Sequence, residues 1–303
     1  MPKRCAIIIV SWNVASYLER CLLSIVRHCQ HTDYVVIVVD NASNDNTIEI
    51  VKRLQRSVLK GKLRIVANAQ NLGFATAVNQ GVDRLKRIGW SDAAILLLNP
   101  DVEFHASVLP RLLEEFKTDD SVGVVGPTLF DEEGLIQRSV MRLPGVWSSL
   151  VALLKLHHVL YFMPFLRRYF AFDMDYTVAQ DVEQVQGAFF LIRRECWDAL
   201  GGFDPNFFIW YEEVDFCARA LEGGWHVRYV PAAGIIHYGG RSFSQEKRLL
   251  KQRYFQQSLL WYMAKHKGFL AWFVFWLLQP IGLFLSLITS NFAPARRIWI
   301  VKN

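Results

Sequence analysis

Five short runs of aliphatic and β-branched residues, Cys5 to Val10, Tyr34 to Val39, Leu63 to Val66, Ala93 to Leu98 and Val122 to Val125, punctuate the first 130 residues. Helical patterns fill the intervals: Leu18, Leu22, Ile25 and Val26 fall on one helical face, as do Ala77, Val78, Val82 and Leu85. Asn44-Asp45-Asn46-Thr47 offers capping residues before the stretch Ile48 to Leu54. Strand-like runs alternating with amphipathic helices predict βαβ units, an α/β fold and a mainly parallel central sheet. Farther on, the pattern predicts a strand over Gln184 to Ile192, a helix over Glu195 to Leu200, a turn at Gly201-Gly202 and a helix from about Tyr211. Between the two zones, Ser148 to Phe172 mixes Leu, Phe and Tyr with Lys155, His157, His158, Arg167 and Arg168. This stretch reads as a helical insertion of about residues 145–175, which Pro164 should interrupt.

The last apolar zone is of a different kind. Phe269 to Ile288 is twenty residues without a charge, and none occurs between Lys267 and Arg296. At about 1.5 Å per helical residue, such a segment reaches roughly 30 Å, enough to cross a bilayer core. Cations flank both ends, Lys265 and Lys267 before and Arg296, Arg297 and Lys302 after, so a single crossing puts one cluster on the disfavoured side. A hairpin broken at Gln279-Pro280 and dipping into the cytoplasmic leaflet avoids that conflict, with Trp272, Trp276 and Trp299 as interfacial anchors. A buried C-terminal helix pair is the other reading. The expected division is residues 1–245 as a catalytic domain and 246–303 as a helical, membrane-associated region.

Composition adds to this picture. Of 303 residues, 52% are hydrophobic and 20% charged, apolar for a purely soluble protein, which makes a membrane contact plausible. The formal charge of +6 suits nucleic acid, anionic lipid or a phosphorylated substrate. No basic cluster interleaved with aromatics marks a nucleic-acid module, so none is expected as a partner. Five scattered cysteines without a Cys-x-x-Cys pair indicate neither a disulfide framework nor a zinc site. Lys3-Arg4 precedes only six apolar residues, too few for a signal peptide, so the expected location is the cytoplasmic face of the inner membrane.

Three of the predicted strands end in polar residues: Ser11-Trp12-Asn13, Asp40-Asn41 and Asn99-Pro100-Asp101. In open α/β sheets ligands gather at such carboxyl tips. Neither a Gly-x-Gly-x-x-Gly after the first strand nor a Gly-Lys-Ser/Thr loop is present, which argues against a dinucleotide dehydrogenase and a P-loop NTPase. A diphosphate held there would need a divalent cation, and hard cations take carboxylate oxygens such as those of Asp101. A second acidic cluster, Glu212-Glu213-Val214-Asp215, opens a predicted helix. Three acids in four residues repel one another, so one pKa rises, as a general base requires.

At these residues the chain resembles glycosyltransferase family 2. The resemblance runs in order through Val10-Ser11-Trp12-Asn13, Val39-Asp40-Asn41-Ala42-Ser43, Asn71-Leu72-Gly73-Phe74-Ala75, Leu98-Asn99-Pro100-Asp101, Gly187-Ala188-Phe189, Gly202-Phe203-Asp204, Glu212-Glu213-Val214-Asp215 and His237. It implies a GT-A fold, Rossmann-like with a mainly parallel sheet flanked by helices, and inverting transfer from a nucleotide sugar. Within the family the chain looks most like bacterial rhamnosyltransferases that build cell-surface polysaccharide. The resemblance implies that Ser11, Asn13, Asp40 and Asn41 line the nucleotide pocket, with Asp40 on the pyrimidine. It implies that Asn71, Gly73 and Gly187 approach the donor, and that Asp101 holds Mn²⁺ or Mg²⁺ on the diphosphate with His237 as a second ligand. Asn99 stands where the family's Asp-x-Asp signature has its first Asp. Glu213 aligns with a catalytic base that is usually Asp, so the base lies between Glu212 and Glu213, with Asp215 beside them.

The mechanism so implied is direct displacement of a dTDP- or UDP-linked sugar by an acceptor hydroxyl, the acceptor being a lipid-linked or other saccharide. Plainer readings exist for each residue. Asp40 and Asp101 suit strand-end turns, the acids suit a first helical turn, and His237 suits a satisfied strand histidine. A processive synthase would carry Gln-x-x-Arg-Trp, whereas here Gln245-Glu246-Lys247-Arg248-Leu249 lacks the Trp. An inactive, sugar-nucleotide-binding relative is the alternative that Asn99 and the Glu in place of Asp suggest.

Overall fold

Strand β1 (Arg4–Ser11) divides its side chains between two cores, because successive residues of a strand point to opposite faces. Ala6, Ile8 and Val10 join one buried cluster and Cys5, Ile7 and Ile9 the other. Strand β2 (Asp33–Asp40) divides in the same way, Val35, Ile37 and Val39 against Tyr34, Val36 and Val38. Continuous apolar runs of this kind are stable only where helices cover both faces of the sheet. The computed structural model, which describes residues 4–240, 245–288 and 300–301, has that layered arrangement. Lys3, Arg296, Arg297, Trp299 and Lys302, invoked above, lie outside the described residues, as does the side chain of His158.

With β3 (Leu63–Ala67), β4 (Ala94–Leu98), β6 (Val122–Pro127), β8 (Gln180–Val182), β10 (Phe189–Ile192) and β11 (His226–Val230), these strands form an eight-stranded sheet of order β3-β2-β1-β4-β10-β6-β11-β8. The sheet is mixed. Strand β10 is antiparallel to both β4 and β6, and β8 is antiparallel to β11, so two strands oppose the common direction. The expected single strand over Gln184 to Ile192 is two: β9 (Gln184–Val185), paired with β7 (Val140–Met141), and then β10.

Helices α1 (Ala15–His28), α2 (Thr47–Arg56) and α4 (Leu109–Thr118) cover one face through Leu18, Val51 and Leu112. The other carries α3 (Phe74–Arg87), α8 (Arg194–Leu200) and α9 (Glu212–Glu222) through Val78, Trp197 and Phe216. The insertion is helical, comprising α5 (Val146–Leu153), α6 (His157–Leu160) and α7 (Pro164–Tyr169). Pro164 opens α7, where its missing N–H costs nothing.

The C-terminal helix α10 (Arg248–Ile288) is broken at Gly268, whose φ of 83° is left-handed. Gln256 donates to the carbonyl of Gln279 at 3.1 Å, although the two lie on opposite sides of Gly268 in the chain, so the arms run antiparallel as a hairpin. The expected break at Gln279-Pro280 is thus corrected: Pro280 lies within the returning arm, and the chain reverses at the glycine. The first arm packs Leu259, Tyr262 and Met263 into the same core as α3, α8 and α9. The returning arm buries Ala271, Phe275, Gly282 and Ser286 but exposes Phe269, Leu270, Trp276, Phe284 and Leu287.

Candidate active site

A cleft of about 700 Å³ opens where β1, β2 and β4 end, lined by Trp12, Asn41, Asn71, Gly73, Asn99, Asp101, Phe208 and Trp210 among others. It sits where the sheet order turns back on itself, between β1 and β4, as ligand crevices of open α/β sheets do. Four non-glycine residues with left-handed φ surround it: Asn13 and Ala42 after β1 and β2, and Trp210 and Tyr211 before α9. Backbone held in such sparsely populated conformations clusters at functional sites.

Side chains fix the walls. Asn41 donates to the carbonyl of Gly73 at 3.1 Å and accepts from Asn68 at 2.9 Å, while Asn71 accepts from the amide of Gly73 at 2.9 Å. Gly73 has no space for a side chain, since a Cβ there would lie 2.6 Å from the Phe208 carbonyl oxygen. That same carbonyl accepts the amide of Phe74, so the loop entering α9 is stapled to the start of α3. Ser11 is fully buried, its carbonyl accepting the Asn41 amide. Asn13 lies in an adjoining groove, accepting from the Asn44 amide at 2.7 Å. Asp40 is buried and takes the hydroxyl and amide of Ser43 at 2.6 and 3.0 Å. Of the residues expected to bind donor, Asn41, Asn71, Gly73, Asn99 and Asp101 therefore face the cleft, and Ser11, Asn13 and Asp40 support its loops.

Asp101 and His237 meet because β5 (Val102–Phe104) pairs antiparallel with β12 (Ile235–His237), setting His237 opposite Val102. The Nε2 of His237 lies 3.7 Å from the Asp101 carboxylate, and both residues are buried. Gln137 donates its amide to the His237 carbonyl at 2.7 Å, so its oxygen, 2.9 Å from Nδ1, must accept from that nitrogen. Burial lowers the imidazole pKa against the pull of Asp101, and the neutral ring then presents the Nε2 lone pair toward the carboxylate. Nε2 has no hydrogen-bond partner among the described residues. Two acceptors facing each other in a buried site fit a divalent cation between carboxylate oxygen and imidazole nitrogen. No group of three or more protein ligands occurs among the described residues, so the remaining ligands would come from substrate and water, as is usual for Mg²⁺.

The acids of α9 separate into two roles. The Gly187 amide lies against Glu213 and favours its charged form, and a Cβ on Gly187 would lie 3.4 Å from Glu213 Oε1. The next residue, Ala188, accepts the amide of Asn99 at 2.9 Å, so Glu213 and Asp101 occupy the same end of the sheet. Burial raises both Glu212 and Glu213, and the Glu213 charge raises Glu212 further. Each has an Oε2 that is buried without a partner among the described residues. Asp215, the third acid of the expected catalytic set, is placed differently from the other two. It faces the first arm of α10, bonded to Arg219, Lys265 and His266 at 2.8 Å each. Burial works to raise its pKa, but the His266 bond and the Arg219 and Lys265 charges hold it low, so it is an ion-pair anchor.

Several contributors escaped the sequence reading. Phe208 and Trp210 line the cleft, Gln137 orients His237, and Tyr169 of the insertion lies close enough to Glu213 that burial and its charge push the phenol up to about 12. The aromatic run Phe207-Phe208-Ile209-Trp210 just before the acidic cluster was the available signal.

Comparison with known proteins gives a consistent result. Residues 6–200 match the profile of Glycosyl transferase family 2, and residues 165–302 that of Glycosyl transferase family group 2. The chain is 25% identical over 278 residues to N-acetylglucosaminyl-diphospho-decaprenol L-rhamnosyltransferase of Mycobacterium tuberculosis, spanning 86% of this chain and 85% of that one. Among solved structures, the mannosyltransferase PcManGT from Pyrobaculum calidifontis, in complex with GDP-Man and Mn²⁺, superposes with a TM-score of 0.56 at 14% identity, covering 95% of this chain and 87% of that one. GalNAc-T7 with UDP, GalNAc and Mn²⁺ gives 0.59 at 16% identity, covering 97% of this chain and 57% of its own.

Proposed function

Because the chain belongs to glycosyl transferase family 2 and has a GT-A fold, we propose that it moves a sugar, with inversion, from a nucleoside diphosphate to a lipid-linked saccharide. The observation that carries this reading is the bridge Asp101–Asn99–Ala188–Gly187–Glu213, which sets a carboxylate of raised pKa beside the cleft of Asp101 and His237. Glu213 is the base. Glu212, raised further, stays protonated while Glu213 ionises, and the Gly187 amide favours the ionised carboxylate. Glu213 removes the proton of an acceptor hydroxyl, which attacks the anomeric carbon from the face opposite the leaving diphosphate. Asn41, Asn71, Gly73 and Trp210 shape the nucleotide pocket. Asp101 and His237 would hold Mn²⁺ or Mg²⁺, which supplies charge neutralisation for the departing diphosphate. The rhamnosyltransferase relative supports rhamnose, from dTDP or UDP, as the sugar and a diphospholipid-linked saccharide as the acceptor.

Residues 1–245 form the catalytic unit in this reading, and the rest braces it on the cytoplasmic face of the membrane. The exposed apolar side of the returning arm, with Phe269, Trp276 and Phe284, supports a helix lying along the bilayer surface. Nucleic acid has no part. The test is a screen of nucleotide sugars by thermal shift and by nucleoside diphosphate release, with and without Mn²⁺. Metal-dependent stabilisation and release by one donor is the expected outcome. A second reading, an inactive relative that binds nucleotide sugars, is motivated by the neutral Asn99, and stabilisation without release would select it.

A further inference from the structure

The helical insertion carries a cluster of arginines that the donor chemistry does not use. Arg142, Arg167, Arg168, Phe172 and Asp173 line a cavity of about 680 Å³. An adjoining cavity shares Arg142 and Arg168 and runs past Trp147 and Phe165 to Tyr169. Arg142 reaches Asp173 and Glu183 only at 3.3 and 3.5 Å, and its Nε is buried without a partner among the described residues. Arg167 and Arg138 both lie over the Phe172 ring, at 5.1 and 4.2 Å, and Arg168 has no carboxylate within ion-pair reach among the described residues. Of the three guanidiniums that line these cavities, only Arg142 has carboxylates within ion-pair reach among the described residues. Arg138 is buried against the carbonyls of Phe170 and Ala171, and repulsion from Arg167 adds to the burial that lowers its pKa. Like charges gathered at a cavity leave a positive potential that a multiply charged anion would relieve, and guanidinium forks match phosphate oxygens.

Two neighbours say which anion. On the rim of the adjoining cavity Trp147 and Phe165 are 71% and 39% exposed, an apolar surface beside the cationic one. On the inner side Tyr169, adjacent to Arg168 in α7, lines that same cavity and is near enough to Glu213 for its charge to raise the phenol. An isoprenoid, then a diphosphate, then a saccharide has this order of polarities, with its sugar end toward the base.

We propose that Arg142, Arg167 and Arg168 bind the diphosphate of the lipid-linked acceptor, with the isoprenoid on Trp147 and Phe165 and the saccharide passing Tyr169 to Glu213. This deepens the transferase reading and rests on it for the acceptor class. The test uses calorimetry of the full chain in detergent with farnesyl diphosphate, farnesyl monophosphate and farnesol, and separately with UDP and Mn²⁺. The diphosphate should bind most tightly, and the double variant Arg167→Gln/Arg168→Gln should weaken it at least tenfold while leaving UDP affinity and melting temperature unchanged. Equal affinity for the diphosphate in the double variant overturns the proposal, as does its loss in Asp101→Asn instead, which would put the probe in the donor cleft. Displacement of the probe by phosphatidylglycerol in bicelles at equal phosphate overturns it too, marking a general headgroup site. Failure of the transferase reading is separate: the wild-type chain would then show no Mn²⁺-dependent UDP binding, whatever farnesyl diphosphate does.

Discussion

Gly187 closes on Glu213: a methyl group on its Cα would lie 3.4 Å from Oε1, and its amide favours the charged carboxylate. If Glu213 is the base, Glu213→Gln preserves this packing and removes only the proton acceptor. Turnover should fall by about 10² to 10⁴-fold, roughly 3 to 5 kcal/mol of transition-state stabilisation, with donor affinity unchanged. Steady-state kinetics beside UDP calorimetry checks this, and near-normal turnover would move the base elsewhere.

The same burial gives activity and stability opposite pH dependences. Glu212 and Glu213 have folded pKa values raised above their unfolded ones. The stability associated with them is therefore full below the unfolded pKa and is lost as pH rises through the folded values. If Glu213 is the base, turnover needs it ionised and should rise over that same interval. Glu212→Gln, which cannot ionise, should be more stable than the parent at neutral pH by at least about 1 kcal/mol, and the difference should vanish in acid. Urea titrations at several pH values would reveal an unchanged gap if the pair were not perturbed.

Gln137 holds both the ring and the carbonyl of His237, at 2.9 and 2.7 Å. Groups that orient a metal-binding imidazole typically matter by 10–100-fold in metal affinity. Gln137→Ala should raise the Mn²⁺ concentration for half-maximal turnover by about that factor, with turnover at saturating Mn²⁺ nearly restored. A chelator should silence the parent enzyme, and Mn²⁺ should revive it. Activity indifferent to both would remove the cation from Asp101 and His237.

Asp215 ties α9 to the first arm of α10 through Lys265 and His266. Removing one partner of a buried ion network leaves the others uncompensated, so Asp215→Asn should cost about 3 kcal/mol of stability. Because the folded pKa of Asp215 is lowered, its contribution is present above the unfolded pKa and is lost as pH falls through the folded one. Variant and parent should therefore converge in strong acid. A denaturation gap that persisted there would assign the loss to packing.

What the sequence disclosed follows from range. The runs Cys5 to Val10 and Ala93 to Leu98 are apolar at every position because both faces of β1 and β4 are covered, and a strand tip next to Asp101 follows directly. Strand direction is another matter: Phe189 to Ile192 is as apolar as the others, and nothing local marks β10 as reversed. Asp215 reads as part of an acidic turn until Lys265 and His266, fifty residues on, are placed against it. The hairpin break went to Pro280 on local grounds, whereas Gly268 was the residue able to adopt the left-handed turn. Gln137 and His237, a hundred residues apart, likewise became a pair only in the fold.

The returning arm of α10 divides by helical spacing. Ala271, Phe275, Gly282 and Ser286 face inward, while Phe269, Phe273, Trp276, Phe284 and Leu287 face out. Gly282 fits tightly, since a Cβ there would meet Gln256 and Leu153 at 2.5 and 2.7 Å, so this arm is held against the first arm and the insertion. In the proposed reading its outer stripe meets the bilayer. Burying an aromatic or aliphatic side chain contributes about 1.5–3 kcal/mol, so each of Phe269→Ser, Trp276→Ser and Phe284→Ser should weaken binding to phospholipid vesicles by about tenfold or more. All three positions are exposed, so melting temperature in detergent should hold while vesicle co-sedimentation falls. Undiminished co-sedimentation of the triple variant would place the membrane contact elsewhere.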